Sequence, residues 1–213
     1  MCKIGKVYVI GLGPGAEKEM TYQASTALEK SEVIIGYTVY TGLIRERFPD
    51  KKYLSTPMRQ EVVRCEMAMD EAMKGRTVAM VCSGDAGIYG MAGILLEIAN
   101  EKKADVEIET VPGVTAASAA ASILGAPLMH DFTIISLSDL MTPYSLIMKR
   151  VDCAGPGDFI VCLSYITTLD AGKDAPIDMF SIVIVGNSNT YVRDGKMITP
   201  RGYEDKYGFA NVE

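Results

Sequence analysis

Three glycine-rich stretches have the residue types and spacing of ligand-binding turns. They read GLGPG (11–15), SGDAGIYG (83–90) and VPGVTAA (111–117). Glycine lets a ligand pass close to the backbone, and Asp85 adds a carboxylate that can accept hydrogen bonds from a ligand or cap the helix that follows. Each stretch alone predicts only a tight turn. Their combination predicts a cleft for a small ligand.

The first stretch departs from a dinucleotide-binding loop. Such a loop needs G-x-G-x-x-G to bind a pyrophosphate and an acidic residue after the second strand to bind a ribose. Here Pro14 has no N–H, Gly15 comes one residue early, and the second predicted strand ends in Gly36 and Tyr37. The pattern disfavours a nicotinamide enzyme, which would have to bind its cofactor without the ribose carboxylate.

Composition narrows the class of protein. The 213 residues are 48% hydrophobic and 23% charged, which suits one large or two small domains with a real core. The net charge of −6, without a block of Lys and Arg, argues against nucleic-acid or anionic-membrane partners. No apolar run is long enough to span a bilayer, so we expect a cytoplasmic protein. The five cysteines form no CxxC, which predicts buried reduced thiols and no metal site.

Apolar runs alternate with helical patterns along the first half of the chain. Near-continuous apolar runs are typical of parallel strands covered on both faces, so the series predicts a doubly wound parallel sheet. The carboxyl ends of such strands meet at one edge, which would bring the glycine-rich turns together. The predicted strands are 6–12, 32–36, 52–55, 77–83 and 106–111, and the predicted helices are 18–30, 38–47, 59–74 and 87–99.

The stretch VPGVTAASAAASILGAP (111–127) predicts a turn, an N-cap at Thr115 and an alanine-rich helix, and it marks a domain boundary. We therefore predict two domains, 1–111 and 112–213. The second half contains a helix after Pro143 and three apolar runs. It ends with a hairpin around Asp194 and Gly195. The predicted strands of this half are 132–137, 158–163 and 179–186, and the hairpin covers 190–199.

GLGPG, SGDAGIYGMAG and VPGVTAASAAASILGAPL together resemble the tetrapyrrole (class III) methyltransferases, which methylate corrin and sirohaem precursors with S-adenosylmethionine. The resemblance implies two α/β domains, an N-terminal parallel sheet and a C-terminal mixed sheet, with the cofactor cleft between them. It also implies a tetrapyrrole substrate and a homodimer.

The resemblance further implies which residues contact S-adenosylmethionine or its product, S-adenosylhomocysteine. This ligand has no phosphate, so it needs close backbone and apolar contact rather than a group of N–H donors. The missing N–H of Pro14 is therefore compatible with binding it. The implied contacts are Gly13, Pro14, Gly84, Asp85, Ile88, Tyr89, Thr115 and Ala116.

A second set of motifs is similar to one branch of this family. GYTVY (36–40), LMHDFTIISLSDLMTPY (128–144), DMFSIVIVGNS (178–188) and DGKMITPRGY (194–203) resemble the enzymes that methylate carbon 17 of a precorrin-3-type macrocycle in cobalamin biosynthesis. This implies the same reaction, with ring contraction. Two alternatives stay open: a class III enzyme acting at another position, and a non-catalytic corrinoid-binding protein.

Few side chains need to act in methyl transfer, which is an in-line displacement that depends on alignment. Ring contraction also needs proton transfer, for which His130 is the candidate; packing is the competing interpretation. Tyr37 could stack on the flat macrocycle or pack in the core. Arg59 and Arg64 could bind substrate carboxylates, or pair with Glu61 or Glu66 on a solvated helix surface; Arg59 is the preferred candidate.

The chain departs from the family pattern after Ser164. The family continues there with an Asn-Pro turn, a helix and a strand, whereas this sequence runs directly into YITTL (165–169). A segment of roughly 30 residues, the size of a βα unit, is absent. We expect the natural protein to be longer than the 23.0 kDa of this sequence. A genuine deletion would remove the cofactor contacts that the family draws from that segment.

Overall fold

The structure is a computed structural model that describes residues 5–164 and 181–202. The chain divides into two compact units, Met1–Ala116 and Ala117–Glu213. The predicted domain limits, 1–111 and 112–213, stay a prediction.

The first unit contains a five-stranded parallel sheet in the order β3-β2-β4-β1-β5, as the alternating pattern predicted. The strand order places the carboxyl ends of β4, β1 and β5 side by side. The elements are β1 (Gly5–Gly11), α1 (Tyr22–Lys30), β2 (Val33–Tyr37), α2 (Thr38–Ile44), β3 (Lys52–Thr56), α3 (Glu61–Met73), β4 (Thr77–Cys82), α4 (Ala92–Lys102) and β5 (Val106–Val111).

Helices cover both faces of this sheet. Val9 of β1 belongs to a buried cluster with Met69 of α3 and Leu95 of α4. Its neighbour Ile10 belongs to a second cluster, on the other face, with Leu28 of α1. All five side chains are fully buried, and each burial stabilises the fold by roughly 1.5–3 kcal/mol. The central strands are apolar from Val7 to Ile10 and from Val78 to Cys82 because neither face meets water there, whereas the edge strands β3 and β5 also carry exposed polar residues.

The second unit is mixed, as the resemblance implied, but its strands form two small sheets and not one. One has the order β7-β8-β9, with β7 and β8 parallel and β9 antiparallel to β8. The other has the order β10-β11-β6. The elements are α5 (Ala116–Leu124), which begins at the unit boundary, β6 (Gly125–Ala126), β7 (Phe132–Ser136), α6 (Tyr144–Ala154), β8 (Ile160–Ser164), β9 (Ile182–Val185), β10 (Tyr191–Arg193) and β11 (Lys196–Ile198).

Three helices begin later than predicted, each for a local reason. Thr21 caps α1 by accepting a hydrogen bond from the backbone N–H of Ala24 at 3.1 Å, so the helix starts after it. α3 starts after Arg59, whose φ of 65° is left-handed and not helical. α4 starts at Ala92, because Asp85 holds the preceding residues in a turn.

β8 hydrogen-bonds directly to β9, with Ser164 opposite Ile182. These strands therefore stay paired across the point where the family pattern is interrupted. The YITTL stretch, Tyr203 of the ITPRGY motif and the start of the predicted strand 179–186 lie outside the described residues.

The cysteines differ in burial. Cys65, Cys82 and Cys162 are buried, as predicted, but Cys153 is exposed because it lies on the outer face of α6; Cys2 lies outside the described residues. Within the described ranges, none of the helices is long and apolar enough to cross a membrane.

Candidate ligand site at the carboxyl edge of the parallel sheet

The first two glycine-rich turns are hydrogen-bonded to each other. The backbone N–H of Gly13 donates to the carbonyl of Gly84 at 3.0 Å, and the N–H of Gly84 donates back to the carbonyl of Gly13 at 2.8 Å. Leu12 extends the contact by donating to the carbonyl of Cys82 at 2.9 Å. The turns after β1 and β4 therefore form one continuous backbone surface.

The third turn packs directly against the other two. A Cβ at Gly113 would lie 2.1 Å from the carbonyl oxygen of Gly84, and a Cβ at Gly11 would lie 2.7 Å from the nitrogen of Gly113. No side chain fits at these distances, so both positions require glycine. Gly11 and Gly113 were not among the predicted site residues. Their signal was present in the sequence, because Gly11 begins the first glycine-rich stretch, within the predicted strand 6–12, and Gly113 belongs to the third, two residues after the predicted strand 106–111.

Asp85 fixes the second and third turns with one carboxylate. Oδ1 accepts hydrogen bonds from the backbone N–H groups of Gly87 at 2.8 Å and Ile88 at 3.1 Å, and Oδ2 accepts one from Gly113 at 3.0 Å. Asp85 therefore caps its own turn and not the helix that the sequence predicted after it, because α4 begins seven residues later, at Ala92. Hydrogen bonds to a charged group are about twice as strong as neutral ones, so this carboxylate makes the turns rigid.

The predicted cofactor residues present apolar groups and backbone at this edge. Pro14, Ile88 and Tyr89 are exposed, and Ala116 is exposed at the start of α5. A Cβ built at Gly84, whose φ is 62°, would lie 3.8 Å from the nitrogen of Ala116. The structure therefore brings residues of all three turns together at one edge.

Cys82 lies at the end of β4, beside these turns, but its thiol is unreactive. Burial raises the pKa of its thiol to about 11, although the nearby Arg64 guanidinium acts in the opposite direction. The thiol therefore stays protonated at neutral pH and is not a nucleophile.

The two predicted substrate residues lie at the same edge. Tyr37 is the last residue of β2, is half-buried, and packs edge-to-face on Tyr40 with ring centroids 5.1 Å apart. Arg59 lies in the loop between β3 and α3 and is exposed. In the part of the chain that the structure describes, its guanidinium makes no ion pair, and Glu66 pairs instead with Lys102 at 3.8 Å. The predicted helix-surface pairing of Arg59 is wrong, because Arg59 precedes the helix.

His130 belongs to the second unit, where it precedes the amino end of β7 and is exposed. Asp158, which precedes β8, accepts hydrogen bonds from Ser188 through the backbone N–H at 2.8 Å and the hydroxyl at 2.7 Å. These bonds, and after them the charge of His130, lower the pKa of Asp158. Ligands in α/β sheets collect at the carboxyl ends of strands, so this location favours a role in the local polar contacts over catalysis.

The model of the family described as Tetrapyrrole (Corrin/Porphyrin) Methylases matches residues 6–167 of the chain. This chain belongs to that family. The resemblance seen in the three glycine-rich turns is thereby confirmed, and the order of strands fits it.

Individual relatives and a solved structure match this chain too, and two of these matches extend beyond residue 167. The "Probable cobalt-factor III C(17)-methyltransferase" of Salmonella typhimurium is 44% identical, over 92% of this chain and 98% of the relative. The "Precorrin-3B C(17)-methyltransferase" of a Sinorhizobium species is 37% identical, over 75% of this chain and 63% of the relative. The crystal structure of the methyltransferase CobJ matches with a TM-score of 0.83 and 31% identity, over 92% of this chain and 100% of that chain.

The alignment with the Salmonella relative is longer than this chain. It extends over 236 residues, although this chain has only 213, so the relative contains residues without a counterpart here. The alignment with the Sinorhizobium relative covers 162 residues.

Proposed function

We propose that the protein transfers a methyl group from S-adenosylmethionine to carbon 17 of a precorrin-3-type tetrapyrrole, with ring contraction, in cobalamin biosynthesis. The observation that carries the proposal is the 44% identity over 98% of a relative named as a cobalt-factor III C(17)-methyltransferase. The similarity to CobJ over its whole length supports it.

The residues at the carboxyl edge fit S-adenosylmethionine. Three glycine backbones in van der Waals contact leave a surface without side chains, and Pro14, Ile88 and Tyr89 add exposed apolar groups. This suits an adenosine that carries no phosphate, whereas a pyrophosphate needs N–H donors that Pro14 cannot supply. When bound, the cofactor supplies an electrophilic methyl group on a sulfonium.

The contribution of the protein to this reaction is alignment. In-line transfer needs the acceptor carbon and the methyl group at near-contact distance, and rigid positioning of this kind can account for a large part of a rate enhancement. Asp85 and the paired hydrogen bonds between Gly13 and Gly84 make the turns rigid before the ligands bind.

The substrate carries many carboxylates, but the protein has a net charge of −6. Attraction must therefore come from a placed cation and not from the overall field. Arg59 is the candidate, since its exposed guanidinium is available at the carboxyl edge. Tyr37 offers a half-buried ring at the end of β2 for the flat macrocycle.

A homodimer in the cytoplasm completes the proposal. Exposed apolar side chains such as Tyr22, Ile123 and Val192, between 72% and 95% exposed, would gain from burial in a second copy. Light scattering over a range of concentrations tests the dimer, and a constant monomer mass would contradict it.

The experiment is a transfer assay with S-adenosylmethionine labelled with ¹³C in its methyl group. We expect the mass of a cobalt-precorrin-3-type substrate to rise by one methyl group, with the label on carbon 17 by NMR. Titration of the free protein should show binding of S-adenosylhomocysteine and none of NAD. Label on another carbon would replace the proposed site of methylation with another one in the same family.

A second candidate is a corrinoid-binding protein without activity. It is favoured by one observation, that the Salmonella relative contains residues that this chain lacks. Binding of the tetrapyrrole without release of S-adenosylhomocysteine would support this candidate.

A further inference from the structure

A buried guanidinium lies beneath the loop that follows β3. Arg64, in the first turns of α3, is only 4% exposed. Its Nε donates to the hydroxyl of Thr56 at 3.0 Å, and its Nη2 donates to the carbonyl of Pro57 at 3.1 Å. Its Nη1 donates to the sulfur of Met91 at 3.8 Å. Arg64 therefore contacts both the loop after β3 and Met91, the residue that precedes α4.

This burial is electrostatically expensive. Among residues 5–164 and 181–202, no carboxylate forms an ion pair with Arg64; the three acceptors are a hydroxyl, a carbonyl and a thioether. Removing a cation from water without a counter-ion costs several kcal/mol, so a buried unpaired charge is poor evidence for a role in stability. An apolar residue would fill the same face of α3, beside Cys65 and Ala68, without this cost.

The loop that Arg64 holds contains a strained residue. Arg59 has a φ of 65°, a conformation that costs a non-glycine residue free energy and persists only where neighbouring contacts enforce it. Arg64 fastens both sides of this residue, since its side chain binds the carbonyl of Pro57 and its backbone N–H donates to the carbonyl of Gln60 at 3.0 Å. The position of Arg59 therefore depends on Arg64.

We propose that Arg64 is a positioning residue for the tetrapyrrole: it holds the Pro57–Gln60 loop so that Arg59 presents its guanidinium to a carboxylate of the substrate. The inference rests on the proposed function and adds to it a specificity-determining residue that never contacts the ligand. Because Arg64 also contacts Met91, it ties this loop to the end of the turn that carries Gly84 and Asp85.

The test is a double-mutant cycle of Arg59→Ala and Arg64→Lys, with the KM of the tetrapyrrole as the readout. Lysine keeps the charge but cannot donate to Thr56, Pro57 and Met91 in the same planar geometry. We expect each single variant to raise KM by about tenfold, the loss of one charged hydrogen bond, with kcat and the Kd of S-adenosylhomocysteine within about twofold of wild type. The double variant should be no worse than Arg59→Ala alone.

A second readout needs no activity. Arg64→Met creates no tryptic site, so the rate of cleavage by trypsin after Arg59 reports on the loop. We expect that rate to rise several-fold, while cleavage after Arg45 stays unchanged. Arg76→Lys is the matched control, because Arg76 lies at the amino end of β4 and pairs with Glu71. Thr56→Val, which removes only the acceptor of Nε, should give a smaller change in the same direction if the Arg64 variants fold poorly.

The outcomes separate the two proposals. An active wild-type enzyme whose single-variant effects multiply in the double variant, or whose Arg64 variants leave KM and cleavage after Arg59 unchanged, overturns the role of Arg64 alone. A wild-type protein that binds the tetrapyrrole but transfers no methyl group overturns the proposed function, and faster cleavage after Arg59 would still support the role of Arg64 in the loop.

Discussion

Asp85 and Gly113 are 28 residues apart in the chain and are joined by a 3.0 Å hydrogen bond from the backbone N–H of Gly113 to Oδ2 of Asp85. The other carboxylate oxygen closes the turn of Asp85 itself, through Gly87 and Ile88. One side chain thus holds the turns after β4 and β5 in a fixed relation. Binding of a ligand to both turns then requires no ordering of the loops, which improves affinity.

Asp85→Asn should weaken both the fold and the site. Asparagine has a single acceptor oxygen, so it can serve either Gly113 or its own turn but not both. We expect a loss of about 1.5–3 kcal/mol in the free energy of unfolding, the usual value for hydrogen bonds to a charged group, measured with urea. S-adenosylhomocysteine should bind more weakly by calorimetry. Asp70→Asn, at an exposed position of α3, is the control, and equal affinity in the two variants would contradict the role of Asp85.

Gly84→Ala should reduce cofactor affinity while the protein stays folded. Its φ of 62° makes alanine unfavourable by about 1–2 kcal/mol, but no atom would lie closer than 3.8 Å to the new Cβ. The methyl group would occupy space that we assign to the ligand. Calorimetry with S-adenosylhomocysteine and thermal unfolding measure the two effects.

Substitutions at two further glycines are controls for that experiment. Gly93→Ala, in α4 with open space around its Cβ, should leave affinity unchanged and raise stability by roughly 0.5–1 kcal/mol. Gly113→Ala should prevent folding, because its Cβ would lie 2.1 Å from a backbone oxygen. Unchanged affinity in Gly84→Ala would move the cofactor away from this turn.

The parallel sheet and the convergence of the first two glycine-rich turns could be predicted from the sequence. Residues 7–10 of β1 and 78–82 of β4 form continuous apolar runs because helices cover both faces there, and that pattern is visible without a structure. Since their carboxyl ends must lie at one edge, the convergence of GLGPG and SGDAG followed directly. The bond from Asp85 to Gly113 could not be predicted, because it depends on a contact between residues that no local pattern connects.

Arg64 shows a different limit of sequence analysis. Charged residues are almost always exposed, so Arg64 was read as a surface cation like Arg59. Its position was nevertheless informative, because it lies one helical turn before Ala68 on the buried face of α3. The start of α3 was misjudged for a related reason: the left-handed conformation of Arg59 has no signature in a residue other than glycine or asparagine.

Glu71 should make the stability of the protein depend on pH in the acid range. The residue is 6% exposed, and its carboxylate contacts Lys74 at 2.9 Å, Lys52 at 3.2 Å and Arg76. The hydrogen bond from Lys74 acts most strongly among these cations, which together lower its pKa from 4.5 to about 2 against the opposing effect of burial. A lowered pKa in the folded state stabilises the fold above the unfolded value, and this stabilisation is lost as the pH falls from 4.5 towards 2.

Glu71→Gln tests this dependence. At pH 7 we expect the variant to lose about 2 kcal/mol in the free energy of unfolding, less than the full shift implies because the three cations are about half exposed. The difference from wild type should shrink below pH 4.5 and disappear near pH 2. Glu97→Gln, on the exposed face of α4, should show no such trend. A difference independent of pH would assign the loss to packing.

His130→Gln should leave kcat within about twofold of wild type. The imidazole lies at the amino end of β7 beside Asp158 and Ser188, away from the carboxyl ends of its strands, and loss of a true general acid or base costs about 10²–10⁴-fold. Single-turnover methyl transfer measures the effect. A hundredfold loss in kcat would support His130 as a catalytic residue.

Arg59→Gly should stabilise the protein and weaken substrate binding at the same time. Glycine adopts a φ of 65° without the penalty of about 1–2 kcal/mol that arginine bears, and this gain exceeds the entropy that glycine adds to the unfolded chain. Thermal unfolding should therefore show a higher Tm for the variant, by the equivalent of roughly 0.5–1 kcal/mol. Loss of the guanidinium should raise the KM of the tetrapyrrole by about tenfold or more, because a charged hydrogen bond contributes about 1.5–3 kcal/mol.

Arg59→Ala separates these two effects, since alanine loses the guanidinium but keeps the strained backbone. It should share the raised KM and show no rise in Tm, and the Kd of S-adenosylhomocysteine should stay within about twofold of wild type in both variants. A gain in stability that comes with a loss of substrate affinity is expected where strain is kept for function. If both variants kept the KM of wild type, Arg59 would have no part in binding the substrate, and its conformation would be a feature of the loop alone.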